Sequence, residues 1–386
     1  MAQVLVLATL ATKGEETRYL VDQLTQSGIS ARVIDISLNS NGAVLKGADK
    51  LAAMDRAAAQ VLDEVLAGVQ SDTEVVLGLG GGTGGEIVLN VLKALPVTFP
   101  KVLVTTLPFD PRIAVADNSI VLVPTLADLS GLNAILRDVL ENAALICAGL
   151  CQKTRKGELT DVKPSVGVTA LGATEGAIAP LVQALSEAGR ESTVFHANGY
   201  GGAAFTRFAA HGAFDAIIDL TPHELTRIHI AGAHVDMPAR FVAGADVPRI
   251  VLPGAMNFIG LGQKSLVPSR YLERPHYEHS GYFTHVKVTP DEMELVSIKL
   301  AESLNALTGP CAVIVPMGGF SHHDRPGDVI EDAKLRSICL ETLKAKLQSH
   351  IPVTALDTHL FAPEVTETIM TTLAELSAQK DLICTT

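Results

Sequence analysis

The sequence predicts an α/β protein of two Rossmann-like, doubly wound parallel-sheet domains related by duplication. Three features point there: short apolar runs alternate with helical stretches, the alternation restarts midway, and glycine-rich segments follow strands. The 386 residues exceed one ordinary core. With 47% apolar and 19% charged residues, the chain can bury two large cores. We expect the first domain over residues 1–155 and the second over 165–386.

The first half reads as strand Val4–Ala8, helix Glu15–Ser27, strand Ala31–Ile36, helix Asp49–Gly68 and strand Glu74–Leu77. A helix from about Glu86 to Leu95, strands Lys101–Thr105 and Ile120–Val123, and helix Leu129–Cys151 complete it. Strict alternation implies parallel crossovers with helices on both faces. The polar stretch Gln152–Pro164 reads as a linker. Beyond it, strand Val166–Ala170, helix Ala177–Ala188 and strand Ser192–His196 repeat the opening order. A constant offset of 161 carries Leu20 to Leu181, Leu24 to Leu185, Gly28 to Gly189 and Val33 to Val194. That suggests duplication of one supersecondary plan. Strand-like runs at Ala216–Ile218 and Ile250–Leu252 continue it. An insertion at Gln263–Pro290, helix Asp291–Leu307, strand Cys311–Val315, loop Pro316–Asp328 and a helix near Pro363–Gln379 follow.

Composition excludes several classes. No apolar run approaches the roughly 20 residues that span a bilayer, so no membrane partner is expected. The run Val4–Leu10 lacks a basic leader and a cleavage site, so it does not read as a signal peptide. A net charge of −12 argues against nucleic acid as a partner. Five scattered cysteines fit a reducing, cytoplasmic setting. Cys147 and Cys151 share one helix face and read as buried small hydrophobes.

In a parallel sheet, ligands bind beyond the carboxyl ends of the strands. After the first strand, Thr9, Thr12 and Lys13 stand at a helix start, where free N–H groups attract anions, although ordinary capping explains them equally well. After the third strand comes Gly78–Gly85, with six glycines in eight positions. Such a run is justified where backbone must approach a phosphate. Gly80, Gly81, Gly82, Thr83 and Gly84 are the expected contacts, with Thr105 and Thr106 from the next strand end. Neither a Walker lysine nor a well-placed ribose-binding acid accompanies them. An anion cradle is therefore expected rather than a dinucleotide fingerprint.

All twelve histidines lie at or beyond position 196. His322 and Asp324, in the Gly-Gly-Phe-Ser-His-His-Asp loop, are the first candidates for a base and its orienting carboxylate. His196, His223 and Glu224 are reserve candidates at neighbouring strand ends. No zinc spacing is present, and no metal ligand is assigned. One half is expected to bind the anion and the other to supply acid–base groups.

Together ATLATKGEE, GLGGGTGG, FHANGYGGAAFTRFAAHGAFDAIIDLTPHEL, LPGAMNF and PMGGFSHHDRPGDV resemble an uncharacterised bacterial family. Its plant relative is the ATP-binding N-terminal region of a tomato mosaic virus resistance protein. The resemblance covers nearly the whole chain and implies two Rossmann-like halves, ATP binding (with or without Mg) and a homodimer. It supplies no reaction and no catalytic assignment.

Three functions follow as expectations. The first is a nucleotide-binding metabolic protein with ATP phosphates on Lys13 and Gly80–Gly85, its small-molecule site in a cleft between the domains. The second is a hydrolase or lyase acting on a small carboxylate or carbonyl compound. The third is a non-catalytic interaction protein that uses ATP to order a dimer.

Overall fold

The computed structural model describes residues 3–38, 45–152 and 165–384. The chain divides into two compact units, Met1–Leu159 and Thr160–Thr386. Apart from Gln152, the expected linker lies outside the described residues.

The first unit runs β1 (Val4–Ala8), α1 (Leu10–Gln26), β2 (Ala31–Asp35), α2 (Gly47–Ser71), β3 (Val75–Gly80), α3 (Gly82–Ala94), β4 (Lys101–Thr105), α4 (Pro111–Ala114), β5 (Ile120–Pro124) and α5 (Ala134–Cys151). Its five strands pair in parallel in the order β2-β1-β3-β4-β5. The three central strands are buried along their whole length, as strands covered on both faces must be. One face packs Leu20 and Leu24 of α1 against Leu136 and Leu140 of α5. The other takes Met54, Val61 and Val65 of α2 with Val88 and Val91 of α3.

The second unit runs β6 (Ser165–Ala170), α6 (Glu175–Glu187), β7 (Glu191–His196), α7 (Gly201–Ala210), β8 (Ala216–Asp219), α8 (Glu224–His229), β9 (Arg249–Val251) and β10 (Phe258–Leu261). It continues through α9 (Ser269–Leu272), β11 (His276–Ser280), β12 (Phe283–Lys287), α10 (Pro290–Leu304), β13 (Cys311–Pro316), α11 (Ala333–Lys346), β14 (Val353–Leu356) and α12 (Pro363–Cys384). Its main sheet has the order β14-β13-β9-β8-β6-β7, all parallel. Taken from β7, that is the winding of the first sheet with one strand added. Both reverse direction between the first and third strands of the unit, the position where doubly wound sheets open a ligand crevice.

Residues related by the offset of 161 make the same turn. Gly28 and Gly189 sit at φ 77° and 75° after their helices. Ile29 N–H donates to Leu24, and Arg190 N–H donates to Leu185, each at 2.9 Å. Glycine is needed there because a side chain strains the left-handed region.

One sequence expectation needs correction. The glycine run is not a loop: Gly78 and Gly80 belong to β3, and α3 begins at Gly82. Tight crossing explains two of these glycines. A Cβ on Gly78 would lie 2.0 Å from Val88 Cγ1, and one on Gly80 would lie 2.3 Å from Gly85 N. The insertion Gln263–Pro290, given no secondary structure in the sequence reading, contains β11 and β12. Its β12 pairs antiparallel with both β10 and β11 in a separate three-stranded sheet, order β10-β12-β11.

Candidate functional sites

In the first unit, β1 and β3 flank the crevice. The start of α1 is already satisfied. Leu10 N–H donates to Asp35 Oδ1 at 3.0 Å, and Ala11 N–H donates to Ser37 Oγ at 3.1 Å. Thr12 and Lys13 N–H groups both donate to the Thr9 carbonyl. Thr9 and Thr12 hydroxyls bond each other at 3.1 Å, and Lys13 Nζ donates to the Leu129 carbonyl. A carboxylate from the end of β2 thus occupies the place expected for an anion. The Asp35 carboxyl is held below its usual range; burial opposes this, and bonds from Ser37 and Leu10 outweigh it.

The start of α3 is different. Gly81 precedes it with no side-chain cap, and its first turn carries no acidic residue. Among the described residues, a Cβ on Gly82 would meet nothing within 4 Å, so that backbone is open on their side. Gly82 and Thr83 line a cleft of about 320 Å³ with Lys50, Leu51, Met54, Glu86, Pro108 and Phe109. Gly81 faces Thr106, whereas Gly84 and Gly85 pack towards Thr9 and Thr105. Thr105 is fully buried, and its hydroxyl accepts from Leu107 N–H at 3.3 Å. Leu107 takes φ 52°, a strained value for leucine at a strand end beside the cleft. Lys50, which lines the cleft from α2, carried no signal in the sequence.

In the second unit, the candidates divide by role. Asp219 and Glu224 are buried and clamp Arg240, whose Nη1 and Nη2 donate to Asp219 at 2.7 and 3.0 Å and whose Nε donates to Glu224 at 3.1 Å. Thr169 Oγ1 donates to Asp219 at 2.6 Å. Burial raises the Glu224 carboxyl above its usual range despite Arg240. A side chain on Gly202 would collide with Glu224 and Arg240. Glu224 is therefore committed to an internal ion network.

The expected pairing of His322 with Asp324 does not form. Asp324 is fully buried, accepts from Phe320 N–H at 2.8 Å and Asp332 N–H at 3.2 Å, and pairs with Arg336 at 2.7 Å. Burial pushes its carboxyl up to about 6. These bonds organise its own loop. His322 is exposed, with its ring beside His323 at 4.8 Å.

His223 has the more distinctive environment. It is fully buried, and its Nδ1 lies 2.8 Å from the Ala255 carbonyl, an acceptor only, so Nδ1 carries the proton. Among the described residues, Nε2 is buried without a partner. Burial first, then Arg227, pushes the imidazole down to about 3. Its ring meets Phe258 at 4.7 Å, Phe258 stacks on His285 at 4.2 Å, and His285 stacks on His279 at 4.8 Å. His285 accepts from or donates to Tyr277 Oη at 2.5 Å and is pushed down to about 2, again chiefly by burial. His196 is also lowered, by burial and by Arg227. The Asn257 amide and the Ser321 hydroxyl, beyond β9 and β13, are buried without partners among the described residues. Sequence reasoning missed Arg227 and Asn257; the signal available was Arg227 one helical turn beyond His223.

Among the described residues, no group of three or more His, Cys, Asp or Glu side chains is placed to hold a metal ion. No described helix is long and apolar enough to cross a membrane.

Comparison with known proteins agrees along the chain. The model of the C-terminal domain of uncharacterised protein family UPF0261 matches residues 163–377, and that of its N-terminal domain matches 41–156. A UPF0261 protein of Mesorhizobium japonicum is 30% identical over 395 residues, covering 96% of this chain and 98% of that protein. One from Clostridium tetani is 29% identical, covering 90% and 93%. The ToMV resistance protein Tm-1(GCR237) of Solanum lycopersicum is 27% identical over 311 residues, covering 78% of this chain and 41% of that protein.

Proposed function

The chain belongs to uncharacterised protein family UPF0261, and on that footing we propose that it is a nucleotide-binding metabolic protein whose first unit takes the phosphates of an adenine nucleotide at the start of α3. One observation carries this reading: the uncapped α3 N-terminus and Lys50 line the same cleft. Free N–H groups, the helix dipole and an ammonium all favour phosphate there. Leu51, Met54, Pro108 and Phe109 offer apolar walls for a base. At about 320 Å³ the cleft is at the small end of ligand sites, which suits a mononucleotide better than a dinucleotide. Glu86 in the same wall disfavours a bare polyanion and suits a phosphate carried with Mg²⁺. Lys13, tied to Leu129, is not part of this site. The proposal extends to a homodimer, as the family resemblance implies, in the reducing cytoplasm that the scattered cysteines suggest. A hydrolase or lyase step on a small carboxylate is the second reading, supported by the neutral imidazoles of the second unit.

Titration of ATP, with and without Mg²⁺, tests the first reading. A hydrogen bond to a charged group contributes about 1.5–3 kcal/mol, so Lys50→Ala should weaken binding by about one to two decades. Gly82→Val should do likewise, and Lys13→Ala should not. Unchanged affinity in folded Lys50→Ala and Gly82→Val would reject the site.

A further inference from the structure

Arg227 lies on α8 and is 8% exposed. Its Nη1 donates to the Ala233 carbonyl at 3.0 Å, and its Nε is buried without a partner among the described residues. Among the described residues, no carboxylate lies within ion-pair distance of it, since Glu224 is turned to Arg240. A buried guanidinium without a counter-ion is costly, and proteins compensate such charges with a partner or a ligand.

Three glycines pack closely against it. A Cβ on Gly199 would lie 3.0 Å from Arg227 Cδ, and one on Gly232 would lie 2.9 Å from Cγ. A Cβ on Gly260 would lie 2.5 Å from Nη2 and 3.1 Å from His223 Nε2. Both nitrogens therefore flank the Gly260 backbone, near enough to each other for one small ligand to bridge. They ask for opposite things: the guanidinium donates and wants an anion, while His223 Nε2 can only accept.

From this juxtaposition we infer that the second unit holds a site for a small hydroxy-carboxylate, its carboxylate on Arg227 and its hydroxyl donating to His223 Nε2. The planar fork of arginine matches a carboxylate in two parallel bonds. The Ala233 carbonyl, a neutral dipole, stands where the anion would bind more strongly. It belongs to the exposed, irregular stretch after α8, which a ligand displaces on entry. The site is independent of the nucleotide cleft in the first unit.

Isothermal titration of the full chain tests it, with glycolate, lactate and malate set against acetate, propionate and succinate, and with inorganic phosphate as a separate arm. We expect at least one hydroxy acid to bind tenfold or more tightly than its deoxy counterpart, and Arg227→Met to weaken it at least tenfold. Gly260→Ala keeps both polar groups but crowds them with a methyl 2.5 Å from Nη2, and should weaken binding similarly. Gly82→Val, confined to the first unit, should leave it unchanged. Binding of none of the acids, no preference for the hydroxyl, or phosphate as the tightest ligand overturns the inference. So does unchanged affinity in Gly260→Ala, which decides the matter should Arg227→Met fail to fold, or loss of binding in Gly82→Val.

Discussion

His223 donates its Nδ1 proton to the Ala255 carbonyl at 2.8 Å, and Ala255 itself holds a left-handed φ of 57°. The strained residue also donates its own N–H to the Phe320 carbonyl at 2.9 Å. Loops after β9 and β13 thereby fix one tautomer of an imidazole that follows β8. Backbone strain of this kind persists only where surrounding structure over-determines it, and it concentrates at functional positions.

Burial of neutral imidazoles sets a pH dependence. His223 and His285 are held down to about 3 and about 2. Unfolded, both return to about 6.5. Below that pH the unfolded chain takes up protons that the fold refuses, so stability falls as pH drops. Each group contributes a slope of about 1.4 kcal/mol per pH unit. Asp324 acts oppositely. Its folded value is raised to about 6, so its contribution is present below about 4 and is lost as pH rises through 6. Denaturant unfolding between pH 4 and 8 should show stability rising with pH up to about 6.5. The rise should steepen in Asp324→Asn and flatten in His285→Gln. A level profile in the parent protein would reject the assignment.

Glycines in the Gly78–Gly85 run should differ sharply in tolerance. Gly78→Ala puts a methyl 2.0 Å from Val88 Cγ1, and such overpacking costs about 1–3 kcal/mol. Gly82→Ala meets nothing within 4 Å and removes a helix-weakening glycine, so it should be neutral or stabilising by up to about 1 kcal/mol. Urea midpoints compare the two directly. Equal losses would mean that the α3 start is packed rather than open.

Arg240 neutralises two buried carboxylates, and Arg240→Met leaves both unpaired. Removing one partner of a buried ion pair costs about 3–5 kcal/mol. Adding Asp219→Asn and Glu224→Gln should recover part of that loss. A loss below about 1 kcal/mol by thermal or urea unfolding would show the network to be slack.

Pattern alone determined the architecture. Apolar runs such as Val4–Ala8 and Lys101–Thr105 have the length of buried strands, and alternation with helices leaves parallel crossover as the workable connection. Gly28 and Gly189 marked equivalent turns because a left-handed residue leaves a direct trace in sequence. The hairpin of β11 and β12 was not legible. Its residues, rich in Tyr, His and Ser, form strands because β10 offers them an edge, and pairing with a distant partner overrides local propensity.

Site chemistry depended on partners that sequence does not specify. Asp324 beside two histidines looked like an orienting carboxylate, yet its oxygens are taken by Phe320, Asp332 and Arg336. Lys13 looked free, and Asp35 from β2 claims the helix start beside it. Lys50 and Arg227 stand in ordinary helical sequence; only folding turns one into a cleft and leaves the other buried without a counter-ion. Local sequence fixes which backbone conformations are cheap. Burial and hydrogen-bond partners arise from contacts between residues far apart in the chain, and these decide which side chains keep unspent charge or a free lone pair.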